Sequence, residues 1–248
     1  MPAPITFSDA PYERRWYEPL LPPLVLLGNL GVAALAYPGV SSARIRWEPE
    51  LGPLLELVRS RTRPIIFYSW HAYELAVLCV VFRLPEDARP VGIGHDGLPS
   101  RLLQQAAAWL GVPVWVYRRR SLVRPGQQLI DFMRHAPVPP LMGLFTDAGG
   151  PYGRAKEGLL TVAQATGALV VPVAPRCRPA LMLPIPVPYT VPLPFARIDV
   201  HHGPPLDAAT ASLKDMDDAL RAVDSMAHGV WERRRPADPL APPTRWGP

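Results

Sequence analysis

Cysteine is almost absent from this chain of 248 residues. Cys79 and Cys177 are its two cysteines, and both lie in apolar stretches of the sequence. These apolar surroundings favour buried free thiols in a reducing compartment over a disulfide framework. A secretory signal is not evident either, because the first residues, MPAPITFSDAPYERRWYEP, are polar where a signal peptide has its apolar core.

A strong excess of one charge is also missing. The chain has 26 basic and 21 acidic residues, which gives a formal net charge of +5. This excess is too small to indicate nucleic-acid binding, and the aromatic residues are not interleaved with basic ones as a base-stacking surface requires. A modest positive charge suits a chain that rests against anionic lipid.

A long hydrophobic run without interruptions is absent as well. The nearest approach is LLPPLVLLGNLGVAALAY, residues 20–37, which has no charge but contains prolines and glycines. Its length is at the lower limit for crossing a bilayer, so a helix lying in the membrane interface and an apolar helix packed on the domain are the two alternatives. The preceding Arg14, Arg15, Trp16 and Tyr17 favour the membrane. We therefore predict a membrane-associated segment over residues 1–40.

Strands alternate with helices after residue 40. Strands are predicted at 43–47, 64–70, 90–94, 112–117, 140–147, 168–175 and 196–203. Helices are predicted at 48–61, 71–83, 98–111, 125–136 and 156–167, with an amphipathic closing helix from residue 212.

This alternation predicts a single α/β domain over residues 41–235. Its central sheet is expected to be mainly parallel or mixed, with about six to seven strands and helices on both faces. The chain has 34 prolines, and seven of them lie in residues 176–195, which we predict to be a surface excursion or an edge segment. Residues 236–248 have the composition of a disordered tail.

His71 follows an apolar strand in the sequence FYSWHAYELA. The carboxyl ends of strands are where sites collect in α/β sheets, and a neutral imidazole is the usual general base near pH 7. Glu74 lies one helical turn later and can contact the ring. The alternative is a satisfied, half-buried histidine beside a solvated glutamate.

Three further polar clusters follow strand ends. GIGHDGLPS contains His95, Asp96 and Gly97, and it reads either as a site element or as a loop that caps a helix. YRRRS, residues 117–121, is a potential phosphate site or a solvated loop. FTDAGGPYGRAKEG, residues 145–158, has a glycine-rich turn that suits an anion but lacks the P-loop pattern. Compact metal-ligand spacing such as H-E-x-x-H does not occur, so we expect no metal.

In order, these pieces resemble a bacterial branch of the lysophospholipid acyltransferase-like superfamily related to the enzymes that complete lipid A. That branch shows WHG, S-x-H-x-DGE, RGSSSRGG, TPDGPRGP-x-x-x-x-KPG, P-I-x-PV and PLPFSR. This chain has Trp70-His71-Ala72, GIGHDGLPS, YRRRS, FTDAGGPYGRAKEG, VVPVAP and PLPFAR. The resemblance covers roughly residues 43–230. It departs from the wider His-x-x-x-x-Asp pattern, because the position of the acid is Ala76.

The resemblance implies that His71 is the catalytic base, with Glu74 or Asp96 orienting it and Asp147 a third candidate acid. The remaining implied residues bind substrate or shape the pocket: Trp70, His95, Gly97, Arg118, Arg119, Arg120, Ser121, Asp147, Gly149, Gly150, Arg154 and Lys156. Backbone N–H groups near Gly149–Gly150 would support the oxyanion.

The implied activity is transfer of a fatty acyl group to a hydroxyl of a lipid or lysophospholipid-like acceptor. The donor would be acyl-CoA or acyl-carrier protein, with no further cofactor, at the cytoplasmic face of the inner membrane. Two alternatives stay open. One is a metal-dependent hydrolase that uses His71, His95 and Asp96, and the other is a non-catalytic lipid-binding homologue.

Overall fold

Strand β3, Ile65–Ser69, runs through the middle of the sheet and shows how the domain is layered. The computed structural model describes residues 5–7, 38, 41–97, 100, 104, 107–108, 111–118, 123–147, 152–183 and 189–227. Ile66 and Tyr68 pack into one hydrophobic cluster, and Ile65 packs into another on the opposite face. This is the two-residue period of a strand that is covered on both sides.

The remaining elements follow in chain order. The strands are β1 Ile5–Phe7, β2 Arg44–Glu48, β3, β4 Val91–His95, β5 Val114–Tyr117, β6 Leu141–Phe145, β7 Leu169–Leu183, β8 Tyr189–His202 and β9 Leu206–Asp207. The helices are α1 Gly52–Ser60, α2 Glu74–Arg83, α3 Pro125–His135, α4 Glu157–Thr166 and α5 Leu213–Met226, with 3-10 turns at His71–Tyr73 and Glu86–Ala88.

The sheet is mixed, with the strand order β1-β5-β4-β6-β3-β7-β8-β2 and β9 beside β7. Strands β1, β5, β4, β6, β3 and β7 are parallel to their neighbours in this order, whereas β7 and β8 are antiparallel. The predicted α/β class is therefore confirmed. The described part of the chain has nine strands rather than six to seven, and the short strands β1 and β9 account for the difference.

Helices cover both faces of the sheet. Buried residues of α3, α4 and α5 form the first cluster with Ile66, Tyr68 and Trp70. Leu54 and Val58 of α1 and Cys79 and Val80 of α2 belong to the second cluster. The Tyr68 hydroxyl donates a hydrogen bond to the Met216 carbonyl at 2.9 Å and so fixes α5 to the sheet. The Tyr73 hydroxyl likewise bonds the buried carboxylate of Asp224.

Of the two alternatives for the proline-rich stretch 176–195, the described residues form the edge segment. Residues 176–183 belong to β7 and residues 189–195 to β8, and the two strands pair in antiparallel register. A register shift falls between Arg178 and Ala180, at Pro179. Beyond Pro172, where its pairing with β3 ends, β7 pairs with β8 on one side among the described residues. Prolines whose nitrogen faces the other side remove no ladder hydrogen bond.

The predicted N-terminal segment, residues 1–40, lies largely outside the described residues. The exceptions are Pro38 and Ile5–Phe7, and Ile5–Phe7 pairs with β5 and so belongs to the sheet. None of the described helices is long and apolar enough to cross a membrane. Of the predicted closing helix, residues beyond Ala227 lie outside the described part, as does the tail 236–248.

Candidate active site

His71 and Glu74 form a pair at the carboxyl end of β3. Trp70 is extended, and the chain then turns through the 3-10 turn His71–Tyr73 into α2, whose first residue is Glu74. The His71 Nε2 atom lies 3.6 Å from the Glu74 Oε2 atom, and their side chains are 24% and 15% exposed. At this distance the two side chains form an ion pair only when the ring is protonated, and the partial exposure leaves the ring accessible to a substrate.

Asp147 holds the backbone on which His71 is placed. Its carboxylate is fully buried. It accepts a hydrogen bond from the His71 backbone N–H at 2.7 Å and another from the Gly153 backbone N–H at 2.8 Å. Burial raises the pKa of Asp147, while these two hydrogen bonds and the nearby His71 act in the opposite direction. Asp147 therefore joins the turn after β3 to the turn after β6.

Aromatic rings enclose the imidazole. The His71 ring meets the edge of the Phe145 ring at a centroid distance of 5.4 Å, and the Tyr152 ring lies 6.2 Å away on a tilted plane. Phe145 ends β6 and also lines a large cavity. The ring of His71 thus lies at the border between solvent and an apolar interior.

This cavity lies between the sheet and helices α1 and α2. Its empty volume is about 1170 Å³ with its opening to solvent included, and its walls are mostly apolar. Glu74 and Phe145 line it beside His71. Gly92, Gly94 and Gly143 also line it, and Gly92 and Gly143 are register partners on neighbouring strands. Because glycine has no side chain, Gly92 and Gly143 leave open a space that larger residues would fill, whereas at Gly94 the Gln104 side chain already occupies that place.

Ser69 is a site residue that sequence reasoning missed. It ends β3 two residues before His71, is 3% exposed and lines the cavity. Its hydroxyl is buried and has no hydrogen-bond partner within the described part of the chain. A buried hydroxyl without a partner is costly, and a polar group of a bound molecule would satisfy it. The signal in the sequence was its alternation with Phe67 on the cavity-facing side of the strand.

His95, Asp96 and Gly97 lie farther from His71 than the sequence suggested. They follow β4, and β6 separates β4 from β3 in the sheet. Two strand spacings amount to about 10 Å. The His95 ring accepts a hydrogen bond from the Gly97 N–H at 2.9 Å, and the Asp96 N–H donates to the Tyr117 carbonyl at 3.3 Å. The order of strands therefore makes Asp147, and not Asp96, the neighbour of His71 across the sheet.

Of the predicted arginine run, the structure describes only Arg118. The backbone of Arg118 is held by the buried Gln128 side chain, which accepts from its N–H and donates to its carbonyl, both at 3.2 Å. Arg118 follows β5, which is three strands from β3. Arg119, Arg120 and Ser121 lie outside the described residues, as do Gly149 and Gly150.

Arg154 and Lys156 extend from the turn that Asp147 stabilises. One terminal nitrogen of Arg154 is buried and has no hydrogen-bond partner in the described ranges. Burial lowers the pKa of Lys156, and the carboxylate of Asp147 counteracts that shift. Lys156 and His71 both interact electrostatically with the buried Asp147 carboxylate.

Trp70 packs in the core and does not contact the cavity. Its side chain is fully buried in the cluster on the α5 side of the sheet. The Arg221 guanidinium lies 5.8 Å from the centre of its ring and donates a hydrogen bond to the Gly153 carbonyl at 2.7 Å. We therefore assign Trp70 to positioning the Gly153 turn rather than to the predicted substrate contact, because strand alternation points it away from Ser69 and the cavity.

The ligand set of the alternative metal site does not assemble. Within the described residues, no group of three His, Cys, Asp or Glu side chains could hold a metal ion. His95 and Asp96 are on the strand that β6 separates from β3. The proposed set of His71, His95 and Asp96 thus has no geometric support.

No protein-family model matches the chain, and no curated protein matches it by sequence. Among solved structures, the chain is similar to the 1-acyl-sn-glycerophosphate acyltransferase PlsC from Thermotoga maritima. The identity is 14% and the TM-score is 0.48, and the similarity covers 88% of this chain and 82% of that chain.

Proposed function

We propose that the protein is an O-acyltransferase that moves a fatty acyl group from a thioester to a hydroxyl of a lipid acceptor. The observation that carries this proposal is the His71–Glu74 pair beside an apolar cavity that Glu74 itself lines. A base beside a long apolar space is what the reaction needs, because one substrate supplies a hydroxyl and the other a hydrocarbon chain. The motif order from Trp70 to Arg197 supports the same reading.

In the proposed reaction, His71 takes the proton of the acceptor hydroxyl as its oxygen attacks the carbonyl carbon of the thioester. The new C–O bond gives a tetrahedral intermediate, and the C–S bond then breaks to release the thiolate. The imidazolium returns its proton to the sulfur, so the products are an ester and a free thiol. Glu74 stabilises the imidazolium during both proton transfers.

Asp147 and Ser69 have supporting roles. Asp147 is a positioning residue, because it holds the backbone N–H groups of His71 and Gly153 and so fixes the direction of the imidazole. Ser69 offers a hydroxyl to a polar group of the bound thioester or acceptor at the cavity wall. Among the predicted acids, Glu74 is our choice for the partner of the ring, because its carboxylate lies 3.6 Å from the imidazole.

The acyl chain is expected to occupy the cavity between the sheet and α2. Its glycine-lined floor has few polar groups, so burial of each CH₂ group stabilises the bound chain by about 0.8 kcal/mol. An acceptor phosphate is expected near Arg154 and Lys156. Acyl-CoA or acyl-carrier protein remains the proposed donor, and the cytoplasmic face of the inner membrane remains the proposed location.

The test is turnover by the purified full chain with a bacterial lipid extract and acyl-CoA or acyl-carrier protein donors of several chain lengths. Mass spectrometry should detect a lipid heavier than its precursor by one acyl group. His71→Ala should abolish this product, while His135→Ala, an exposed histidine at the end of α3, should retain it. Full turnover by folded His71→Ala refutes the proposed base. Donor and acceptor binding without turnover by the wild type would instead identify a non-catalytic lipid-binding protein.

A further inference from the structure

Three arginines form a row across the outer strands of the sheet. Arg44 of β2 and Arg178 of β7 are both register partners of Arg197 in β8. All three are exposed. Side chains of directly paired residues emerge on the same face, and like charges in this arrangement repel one another. The row therefore gains stability when an anion lies against it.

A second row lies beside the first and has the same basic character. Arg46 of β2 and Arg176 of β7 are both paired with Asp199 of β8. Asp199 accepts a hydrogen bond from Arg197 at 2.7 Å. Arg46 also pairs with Glu48 at 3.3 Å. Five arginines thus face two carboxylates, Asp199 and Glu48, which leaves an excess of positive charge on this face.

Beyond the arginines, β7 and β8 continue as an exposed apolar hairpin. The sequence has no charged residue from 179 to 196. Leu181, Met182, Leu193 and Phe195 are 50%, 36%, 38% and 75% exposed. They are most of the large apolar side chains that the described residues expose. Such an apolar patch next to a cationic face is typical of a surface that binds a membrane or another protein.

Phe195 is held in a conformation that presents its ring to solvent. Its φ of 62° lies in the left-handed region, which is unfavourable for a bulky residue. Its N–H donates to the Ser42 hydroxyl at 2.7 Å, which holds this conformation. A local strain that exposes an aromatic ring, rather than burying it, points to a binding role for that ring.

The spacing of the two features matches a bilayer interface. At about 3.3 Å per residue, Leu181 lies roughly 10 Å beyond Arg178. Leu193 lies closer to the arginines, because the adjacent Pro192 pairs with Ala180, two residues (about 7 Å) beyond Arg178. Apolar side chains of peripheral proteins reach about 5–10 Å into the boundary between headgroups and acyl chains. Arginines at the level of the phosphates and apolar residues below them are thus consistent with one membrane-bound orientation. A nucleic acid would match the arginines but not the uncharged hairpin.

We propose that the β7–β8 hairpin and the arginine rows at its base form a docking surface for an anionic lipid bilayer. This surface is distinct from the N-terminal segment and does not depend on acyl transfer. The hairpin leaves the sheet past the carboxyl end of β3, because β7 pairs with β3 no farther than Pro172 opposite Tyr68. Docking therefore turns the edge that carries His71 towards the membrane.

The first test measures the depth of the hairpin in the full chain. A single cysteine at Phe195→Cys, with Cys79 and Cys177 replaced by alanine, carries the environment-sensitive dye NBD. Vesicles of phosphatidylcholine with phosphatidylglycerol should shift its emission to the blue and raise it several-fold. The matched control is the same label at Val138→Cys, an apolar residue in the α3–β6 loop that is 47% exposed, and it should not respond. Vesicle-bound protein whose label at 195 still reports water overturns the proposal.

The second test compares the vesicle affinity of arginine variants that keep both native cysteines. The triple variant Arg44→Gln/Arg178→Gln/Arg197→Gln should bind these vesicles on the order of 100-fold more weakly than the wild type, at about fivefold for each arginine. The control triple Arg59→Gln/Arg124→Gln/Arg134→Gln removes the same charge from exposed positions elsewhere and should change binding far less. An equal loss of vesicle affinity in both triple variants overturns the proposal, as does a wild type that does not bind anionic vesicles. A dimer that protects the label at 195 without lipid would assign the surface to a second copy of the chain.

Discussion

Removing the carboxylate of Asp147 should destabilise the fold as well as the site. In Asp147→Ala, the backbone N–H groups of His71 and Gly153 lose acceptors that now lie at 2.7 Å and 2.8 Å. Each buried donor left without a partner costs about 1–3 kcal/mol, so the two together cost about 2–6 kcal/mol. That is a large part of the roughly 5–15 kcal/mol by which domains are stable.

Asp147→Asn is expected to remove one of the two hydrogen bonds and keep the other. The amide keeps one oxygen acceptor and places an NH₂ group against the other N–H donor, so about half of the loss is expected, or about 1–3 kcal/mol. Urea unfolding followed by circular dichroism measures both values. Hydrogen exchange should show faster exchange at the amides of His71 and Gly153, which a general loss of packing would not single out.

The control for this series is Asp131→Ala. Asp131 is exposed on α3 and accepts a hydrogen bond from the Gln127 side chain at 2.8 Å. Its removal should change the free energy of unfolding by no more than about 0.5 kcal/mol. If Asp147→Ala is as stable as this control, the structural role assigned to the buried carboxylate is wrong.

Three further outcomes are expected. Glu74→Gln should lower kcat on the order of 100-fold with a smaller change in KM, because the charge that stabilises the protonated His71 is lost; a change confined to KM contradicts this role. Gly143→Leu should lower kcat/KM for long-chain donors about tenfold relative to short-chain donors, since its side chain fills the cavity; equal effects at all chain lengths would show that the chain binds elsewhere. Hydrogen bonds from Arg63 lower the pKa of Asp207 from 3.8 to about 2. The stabilisation from this pair should be complete above pH 3.8 and disappear as the pH falls towards 2. The urea midpoints of the wild type and Asp207→Asn should therefore differ at pH 7 and converge in acid. A difference that stays constant with pH would show that ionisation of Asp207 does not contribute to stability.

The local parts of the site could be predicted from the sequence. An apolar strand that ends at His71, with Glu74 three residues later, is a short-range pattern, and backbone geometry then brings the two side chains within 3.6 Å. The alternation of strands and helices is also local, and the predicted strands agree with the observed ones within a few residues for all but the long β7 and β8.

For the proline-rich stretch, the sequence left a surface excursion and an edge segment open, and the described residues form the edge segment. Whether a proline breaks a strand depends on which side its nitrogen faces and whether another strand lies there. Residues 180–183 of β7 pair with residues 189–192 of β8, and the residues of β8 that pair with β2 are 197–201. The prolines are thus tolerated, and the chain gains an apolar hairpin.

By itself, the sequence determined the α/β class, the position of His71 at a strand end and its pairing with Glu74, because each depends on contacts within a few residues. Only the tertiary structure decided which distant acid supports the histidine, since the order of strands in a sheet does not follow their order in the chain and β6 separates β4 from β3. It also decided that Gly92 and Gly143 lie side by side and open one cavity. Register between strands that are some 50 residues apart is set by the packing of the whole domain, which no local pattern encodes.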